Sequence, residues 1–399
     1  MIKMAMLPAL LKSFVHTIFR RTWPEHLAGL LLGIVNVIFY AWASKPYTIF
    51  SGYQIWGQHV YNLINLGNVG GKPLAPILED KTSVGIIGLF LGASIAAILS
   101  NEFKVRLPYS KIQAIEAVFG GILMSLGVVL AFGCNWGGFF SAITALSLHG
   151  WAMFLGLIIG GYLGQRYVKW KLSFETTYAK KAFKESLGGL EKRSFLGKGF
   201  LKILFVIEIF IIMLLLSYYS YVQVADGSLY GVILLFGIVV GIIIQRSRFC
   251  FATAFRDLIY GPEFFRSIRI HKGIILGLLV GVAGGFVLKY RGYVDILNYV
   301  APVSFLNIVG GIIFALGTVL AGACASGILW RAGEGHVSAL LAIFTAVLVY
   351  PVFRKIVPTT GAGFFIPNLG WAAGTVAIFI TILVYYLFIL YLEKRVHVK

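Results

Sequence analysis

Hydrophobic and polar positions alternate along this chain in blocks of about 20 residues, the length of a helical membrane crossing. Ten apolar runs, separated by short polar stretches, approach that length. These runs cover residues 27–43, 82–100, 113–131, 150–168, 200–220, 229–245, 272–290, 303–321, 337–353 and 370–392. The pattern predicts an all-α, polytopic membrane protein with about ten transmembrane helices.

Two of the predicted spans carry the same motif. GGILMSLGVVLAFGCNWGG, which starts at Gly120, matches GGIIFALGTVLAGACASG, which starts at Gly310, and the offset is 190 residues throughout. Cys134 thereby matches Cys324. We interpret the match as an internal repeat in which an apolar span ends in a glycine-rich break that carries one thiol. This pattern is typical of transporters built from two halves with broken helices.

A second, weaker repeat overlays residues 33–52 on 237–256, with an offset of 204 residues, and places Cys250 opposite Pro46. Five crossings precede the second copy of the first motif, so the two halves are expected to be inverted relative to each other. We place the first repeat, with a linker helix, at 1–220 and the second at 221–399, within a single membrane domain. The predicted re-entrant pieces are 46–66, 135–147, 250–262 and 325–336.

Composition supports a membrane protein, since the chain is 59% hydrophobic and only 12% charged, with a mean hydropathy of +0.88. A net charge of +19 would suggest nucleic acid in a soluble protein. Here about 27 of the 34 lysines and arginines fall on one side of the predicted spans, which the positive-inside rule explains. We therefore expect no nucleic-acid partner, a plasma (inner) membrane location, and cytoplasmic N- and C-termini. We see no cleavage site for a signal peptide.

The loop 169–199 joins the two predicted halves and lies on the basic side, with ten lysines and arginines between residues 166 and 202. It is interpreted either as an amphipathic helix on the anionic inner leaflet or as a solvated linker.

Three cysteines lie in or beside apolar spans, so a disulfide framework is not expected. A helix that starts just after each cysteine would expose free N–H groups, which favour an anion. The residues expected to support Cys134, Cys250 and Cys324, by capping, donating or allowing close approach, are Gly133, Asn135, Gly137, Gly322, Ser326 and Gly327. The structural alternative is that glycine permits tight helix crossing and cysteine is a small apolar filler.

A neutral thiol offers a weak donor and a soft, polarizable surface, which suits an anion with a terminal sulfur or selenium. A thiolate would instead allow a persulfide or selenyl-sulfide intermediate, and the sequence leaves this choice open. Separations of 116 and 74 residues between the cysteines disfavour zinc, and no nucleotide-binding motif is present. No metal or cofactor is predicted.

Charged residues near the breaks have two interpretations. Arg256 and Arg331 lie inside predicted re-entrant pieces, where they either anchor the inner side with a local acidic partner or form a cationic inner vestibule for anions. Arg246 and Arg248 are interpreted mainly as positive-inside anchors. Three more titratable residues, weighed as structural or functional, are His149, His336 and the intramembrane Glu208.

Three cysteine-centred motifs resemble the YeeE/YedE family of sulfur-compound transport proteins. They are GCNWGGFFSAITALSLHGW (133–151), RSRFCFATAFRDL (246–258) and GACASGILWRAGEGHV (322–337), and their details look most like the YedE branch, associated with selenium metabolism. The resemblance implies inverted repeats, re-entrant helices and a line of substrate-contacting thiols. One departure is Ala325, where that branch often has an acidic residue, so no charge role is carried to this position.

Together these features predict a membrane transporter, not an enzyme, that takes up a small sulfur- or selenium-containing anion of the thiosulfate type along the three cysteines. The expected partners are this anion, the lipid bilayer and a cytoplasmic sulfur- or selenium-accepting protein. The alternative is a membrane sulfur or selenium carrier or transferase with a covalent cysteine intermediate. A purely structural membrane subunit is disfavoured because polar breaks in spans are costly without a ligand.

Overall fold

The structure is a computed structural model that describes residues 19, 21–65, 69, 76–186, 230–259, 263–357 and 371–397. Its α-helices are α1 (Glu25–Ala43), α2 (Phe50–Leu63), α3 (Lys81–Leu99), α4 (Lys111–Ala131), α5 (Ala142–Thr144), α6 (His149–Ser186), α7 (Tyr230–Ser247), α8 (Phe251–Arg256), α9 (Phe264–Tyr290), α10 (Phe305–Leu320), α11 (Ala325–Gly333), α12 (Val337–Ile356) and α13 (Trp371–His397). A 3-10 turn, Ile77–Glu79, precedes α3, and a π-helix, Asn135–Ser141, precedes α5.

The prediction of an all-helical, multi-pass membrane protein is confirmed. Within the described residues, eight helical segments are long and apolar enough to cross a membrane. The predicted spans fall on α1, α3, α4, α6, α7, α9, α10, α12 and α13, while the span predicted at 200–220 lies outside the described residues.

Helix α6 is longer than the fourth predicted span and continues to Ser186. The sequence from 169 to 186 contains no glycine or proline, so nothing in it interrupts the helical hydrogen-bond pattern. The first part of the predicted linker is therefore the extension of a membrane helix, and not a separate segment. Residues 187–199 lie outside the described part of the chain.

Helix α4 crosses α10 through glycines from both copies of the repeat. A Cβ added at Gly120 would lie 2.5 Å from the Ala321 nitrogen, and one added at Gly310 would lie 2.6 Å from the Ala131 nitrogen. These two contacts are counterparts, because Gly310 and Ala321 lie 190 residues after Gly120 and Ala131. The crossing is thus reciprocal in the way that a two-fold related pair of helices requires.

Other helix pairs follow the same reciprocal pattern. Helix α1 packs on α9 as α7 packs on α3, and α12 packs on α4 as α6 packs on α10. Inverted repeats would produce this arrangement.

In each copy of the repeat, a helix ends shortly before the cysteine, so the helical path of the chain is broken there. The side chain of Ser110 accepts a hydrogen bond from the Gln113 nitrogen and starts α4, while Ser304 and Asn307 form a capping box that starts α10. Helix α4 is capped by Phe132, whose φ is 57°, and α10 is followed by Gly322, whose φ is +77°. Both left-handed residues turn the chain sharply toward the cysteines.

Candidate functional site

All three cysteines occupy the same structural position, the residue just before a short helix. Cys134 precedes the π-helix, Cys250 precedes α8 and Cys324 precedes α11, each with an extended backbone. The chain is therefore broken where the sequence predicts, and each thiol lies at the break. All three are free thiols buried in the main hydrophobic core.

The second and third thiols are adjacent. The Cys250 Sγ donates a hydrogen bond to the Cys324 Sγ over 3.8 Å, although 73 residues separate them in the chain. The Ser326 hydroxyl lies 3.4 Å from the Cys324 Sγ. A Cβ added at Gly327 would lie 3.3 Å from both sulfurs, so the absence of a side chain at this position leaves room around the thiol pair.

Cys134 lies at the first break, where its sulfur accepts a hydrogen bond of 3.4 Å from the Gly137 nitrogen. The neighbouring Asn135 side chain lies close to the Cys324 sulfur and brings the two breaks together. Neither polar atom of the Asn135 amide has a hydrogen bond of ordinary geometry, and the residue is 1% exposed. Gly133 packs directly against the backbone of Gly138, where a Cβ would be too close.

A cavity of about 690 Å³ reaches Cys134 from the side predicted to be extracytoplasmic. We call it the outer cavity, and its polar lining includes Lys45, Gln54, Gln58, Asp80, His149 and Arg354. The side-chain nitrogens Nε2 of Gln54, Gln58 and His149 are buried without a hydrogen-bond partner. The volume falls in the range of small-molecule sites.

Sequence reasoning did not identify Gln54 and Gln58. Both lie in the piece predicted to be re-entrant, 46–66, which the structure shows as α2. Their spacing of four residues, which puts both on one helix face, was the available signal. His149 was identified as a candidate, and it begins α6 beside the cavity.

The opposite side, predicted to be cytoplasmic, carries a group of paired charges that we call the inner charge cluster, made of Glu102, Gln245, Arg246, Arg248 and Glu334. Arg246 is fully buried and donates to Glu102 over 3.0 Å. Arg248 lies 3.0 Å from Glu102 and 2.7 Å from Glu334. Gln245 donates to both carboxylates over 2.8 Å. The expected roles of Arg246 and Arg248 as surface anchors are therefore incomplete, because both side chains bind carboxylates from other elements.

Electrostatics at the inner charge cluster favour the ionised form of Glu102. Burial raises the pKa of Glu102, but the Gln245 hydrogen bond and the charges of Arg248 and Arg246 outweigh burial and lower this pKa below its usual value. The charges of Arg246 and Arg248 are thus compensated by the carboxylates of Glu102 and Glu334.

Backbone hydrogen bonds join two loops on the same side. The Lys104 nitrogen donates to the Glu334 carbonyl over 3.1 Å, and the Arg106 nitrogen donates to the Gly335 carbonyl over 2.7 Å. The Val337 nitrogen donates to the Arg106 carbonyl over 3.0 Å. Together they form a short parallel bridge between the loop after α3 and the loop after α11. Among the described residues, this inner bridge joins the two predicted repeats.

Arg256 and Arg331, the arginines inside the predicted re-entrant pieces, have different surroundings. Arg256 is paired with its neighbour Asp257 over 2.5 Å, so its charge is compensated locally. Arg331 lies over the Trp330 ring, 5.7 Å from its centre, and has no carboxylate partner among the described residues.

The described residues contain no group of three His, Cys, Asp or Glu side chains arranged to hold a metal ion. Glu208, considered for proton coupling, lies outside them.

Comparison with known proteins identifies relatives across most of the chain. Two proteins named Probable transporter YedE, from Salmonella typhimurium and Escherichia coli, are 28% and 27% identical over 82% of this chain and 79% of their own length. The Thiosulfate transporter TsuA of Escherichia coli is 35% identical over 31% of this chain and 33% of its own. A family profile described as Sulphur transport matches residues 3–163 and 246–398. The chain therefore belongs to this sulphur transport family, in agreement with the resemblance in its cysteine motifs.

Proposed function

We propose that the protein takes up a small anion with a terminal sulfur or selenium, of the thiosulfate type, through the plasma membrane. Cys134, Cys250 and Cys324 form the path. Membership of the sulphur transport family supports a sulfur anion as the cargo, as does the likeness to proteins named as thiosulfate transporters. A cytoplasmic protein that accepts sulfur or selenium receives the cargo on the inner side.

The arrangement of the thiols is the observation that carries the proposal. One thiol lines a cavity open on the predicted outer side, and the other two, each at a break of its own, lie 3.8 Å apart. Neutral thiols can donate weakly to a soft sulfur atom without binding it so tightly that it cannot leave. A succession of such contacts passes the anion from the outer cavity toward the inner side.

The cargo is tested by uptake of ³⁵S-labelled thiosulfate into membrane vesicles, with selenite and sulfate as competitors. Replacement of any of the three cysteines by alanine is expected to abolish uptake while leaving expression intact. Serine keeps the size and the hydrogen bond of cysteine but lacks its soft surface, so serine variants should also be impaired. Ser125→Ala is a matched control, because this buried side chain only bonds backbone carbonyls away from the thiols.

Two results would contradict the proposal, and a third would narrow the cargo. Uptake at the normal rate in all three serine variants would remove the argument for a soft contact. Absence of thiosulfate uptake by the wild type, together with uptake of a selenium anion, would move the cargo to selenium, as the YedE resemblance allows. If neither anion enters the vesicles, transport of such anions is wrong.

The short distance between Cys250 and Cys324 also favours a second candidate function, a carrier or transferase with a covalent cysteine intermediate. A cysteine thiolate that takes the outer sulfur of thiosulfate, with cleavage of the S–S bond of thiosulfate and release of sulfite, becomes a persulfide. Its outer sulfur then lies within reach of the other thiol. Intact-mass measurement after exposure to thiosulfate separates the two functions. An added sulfur on cysteine supports the carrier, whereas an unchanged mass during active uptake supports transport of the free anion.

A further inference from the structure

The loop between α9 and α10, residues 291–304, contributes one aromatic side chain, Tyr299, to the lining of the outer cavity. We propose that Tyr299 is a steric gate that limits the size of the sulfur or selenium species able to reach Cys134. The inference deepens the proposed function, and its consequence for uptake rests on that function. It makes Tyr299 a specificity-determining residue that the second predicted repeat contributes to a break in the first.

Tyr299 reaches the first break with its hydroxyl group. A Cβ added at Gly137 would lie 2.8 Å from the Tyr299 oxygen, and the Gly137 nitrogen donates to the Cys134 sulfur over 3.4 Å. Tyr299, Gly137 and Cys134 all line the outer cavity. A molecule that approaches Cys134 from this cavity therefore does so next to the phenol ring.

The backbone of Tyr299 is held in a conformation that large side chains rarely adopt. Its φ is 60°, in the left-handed region, where a bulky residue persists only if its surroundings impose the conformation. On one side of it, the Asn298 Nδ2 donates to the Ser44 carbonyl over 2.7 Å. On the other side, the Ala301 nitrogen donates to the Ser147 hydroxyl over 3.3 Å. These bonds to two loops of the first predicted repeat fix the chain on both sides of Tyr299 and keep its ring in the cavity lining.

A buried lysine anchors the same loop. Lys289, near the end of α9, is 1% exposed, and its ammonium group donates to the carbonyls of Ile296 and Asn298, each over 2.9 Å. It also donates over 2.7 Å to the carbonyl of Ala145, between α5 and α6. Hydrogen bonds from a charged donor are stronger than those between neutral groups. The loop is therefore a firm support for Tyr299 and not a mobile lid, so the gate selects by a fixed opening.

The dimensions of the outer cavity explain why a gate is needed. Its volume of about 690 Å³ is that of a site for drug-sized molecules, so the cavity itself admits species much larger than thiosulfate. Selection by size has to occur at a narrower point next to the thiol. The Tyr299 ring occupies space there that a smaller side chain would leave open. Because the ring and not the hydroxyl provides the bulk, phenylalanine should preserve the gate.

The test uses the full chain in right-side-out vesicles, with Cys134 as the single cysteine (Cys250→Ala and Cys324→Ala). Modification of Cys134 by a small methanethiosulfonate, the ethylsulfonate, is compared with modification by a bulky one that carries a biotinyl group. We expect Tyr299→Ala to speed the bulky reaction at least about tenfold and the small one less than about threefold, whereas Tyr299→Phe should change neither. Tyr293→Ala is the matched control, because Tyr293 belongs to the same loop, is 72% exposed and does not line the cavity.

Tyr299→Gly is a second variant that also removes the ring. It should open the gate as alanine does. Its Tm should be higher than that of Tyr299→Ala, because glycine adopts a left-handed backbone without strain.

Uptake connects the gate to the cargo. Benzenethiosulfonate keeps a terminal sulfur and adds an aromatic ring, so the wild-type gate should exclude it from the first thiol. In the protein with all three cysteines, Tyr299→Ala should lower the concentration of benzenethiosulfonate that half-inhibits thiosulfate uptake by about tenfold.

These measurements separate the gate from the proposed function, because modification of Cys134 does not require transport. Faster bulky modification in Tyr299→Ala, with no thiosulfate uptake by the wild type, would contradict the proposed function and leave the gate standing. The gate would be overturned by a ratio of bulky to small rates that is the same in wild type, Tyr299→Ala and Tyr299→Gly. An equal rise of this ratio in Tyr293→Ala or in Tyr299→Phe would also overturn it.

Discussion

At the scale of single residues, the surroundings of His336, in the loop after α11, keep its imidazole neutral. It precedes α12 on the predicted inner side, and its Nε2 lies 3.3 Å from Nη1 of Arg106. Burial lowers the pKa of His336 to about 4, and the charges of Arg331, Arg106 and Arg248 contribute in the same direction. A neutral imidazole accepts the Arg106 hydrogen bond, which a protonated ring would lose.

We predict that this histidine makes the folded protein sensitive to acid. The unfolded chain gains a proton near pH 6.5 and the folded protein only near pH 4, so stability should be lost as the pH falls through this interval. The measurement is Tm in detergent between pH 4 and pH 8. His336→Gln should flatten the decrease relative to wild type, and His26→Gln, an exposed histidine of α1, should not. An equal pH dependence in wild type and His336→Gln would show that other groups cause it.

How far the sequence predicts single residues depends on whether they carry a local signal. Cys134 and Cys324 are marked by the repeat, and His149 and His336 by their matching places after the breaks. Gln54 and Gln58 carry no charge, and only the fold places them beside a cavity. The pairing of Arg246 with Glu102, 144 residues away, depends on the fold and cannot be read from either neighbourhood.

At the scale of helices, the crossing of α4 and α10 depends on glycine at the points of contact. A Cβ added at Gly127 would lie 2.5 Å from the Phe314 nitrogen and 2.7 Å from the Gly310 carbonyl oxygen. These are backbone atoms of a packed helix and cannot move aside independently. The two helices that lead into the Cys134 and Cys324 breaks are therefore positioned by main-chain contact.

Gly127→Ala is expected to destabilise the protein by about 1–3 kcal/mol, the usual cost of overpacking a tight contact. The measurement is thermal or denaturant unfolding of purified protein. Gly52→Ala serves as the control, because its nearest contact is the Cδ1 methyl at the flexible end of Ile86, 2.4 Å away. A smaller loss of stability in Gly127→Ala than in Gly52→Ala would contradict the importance of the crossing.

The sequence predicts the spans well because each depends on its own apolar run, whereas the short helices depend on their surroundings. Residues 250–262 are predicted as one re-entrant piece, but α8 covers only Phe251–Arg256. The Ala254 carbonyl is occupied by hydrogen bonds from Ser267 and His271 of α9. Helix α8 ends early beside these contacts with α9. No pattern in the sequence of residues 250–262 predicts the contacts.

For the molecule as a whole, the two sides of the predicted path differ. The outer cavity reaches Cys134, while the inner charge cluster and the inner bridge lie across the other side. Cys134 lines this cavity, so we propose that the substrate enters from its side. With the predicted orientation, that side faces away from the cytoplasm.

We predict that a small, membrane-impermeant methanethiosulfonate reagent reaches the thiols unequally. In right-side-out vesicles, Cys134 as the single cysteine (with Cys250→Ala and Cys324→Ala) should be modified. Cys324 as the single cysteine (with Cys134→Ala and Cys250→Ala) should react at least about tenfold more slowly, because it is buried next to the breaks and away from the cavity. Mass spectrometry gives the extent of modification. Equal rates, or faster reaction of Cys324, would contradict an access route from the outer side.

The inner bridge has a consequence for how the protein tolerates sequence change. Its hydrogen bonds join peptide groups of Lys104, Arg106, Glu334, Gly335 and Val337, and most substitutions leave those groups in place. Proline at 106 is an exception, since it removes the N–H that bonds the Gly335 carbonyl. A relative can therefore exchange the charged side chains on this face and keep the main-chain bonds between the two loops, whereas a single proline at 106 would remove one of them.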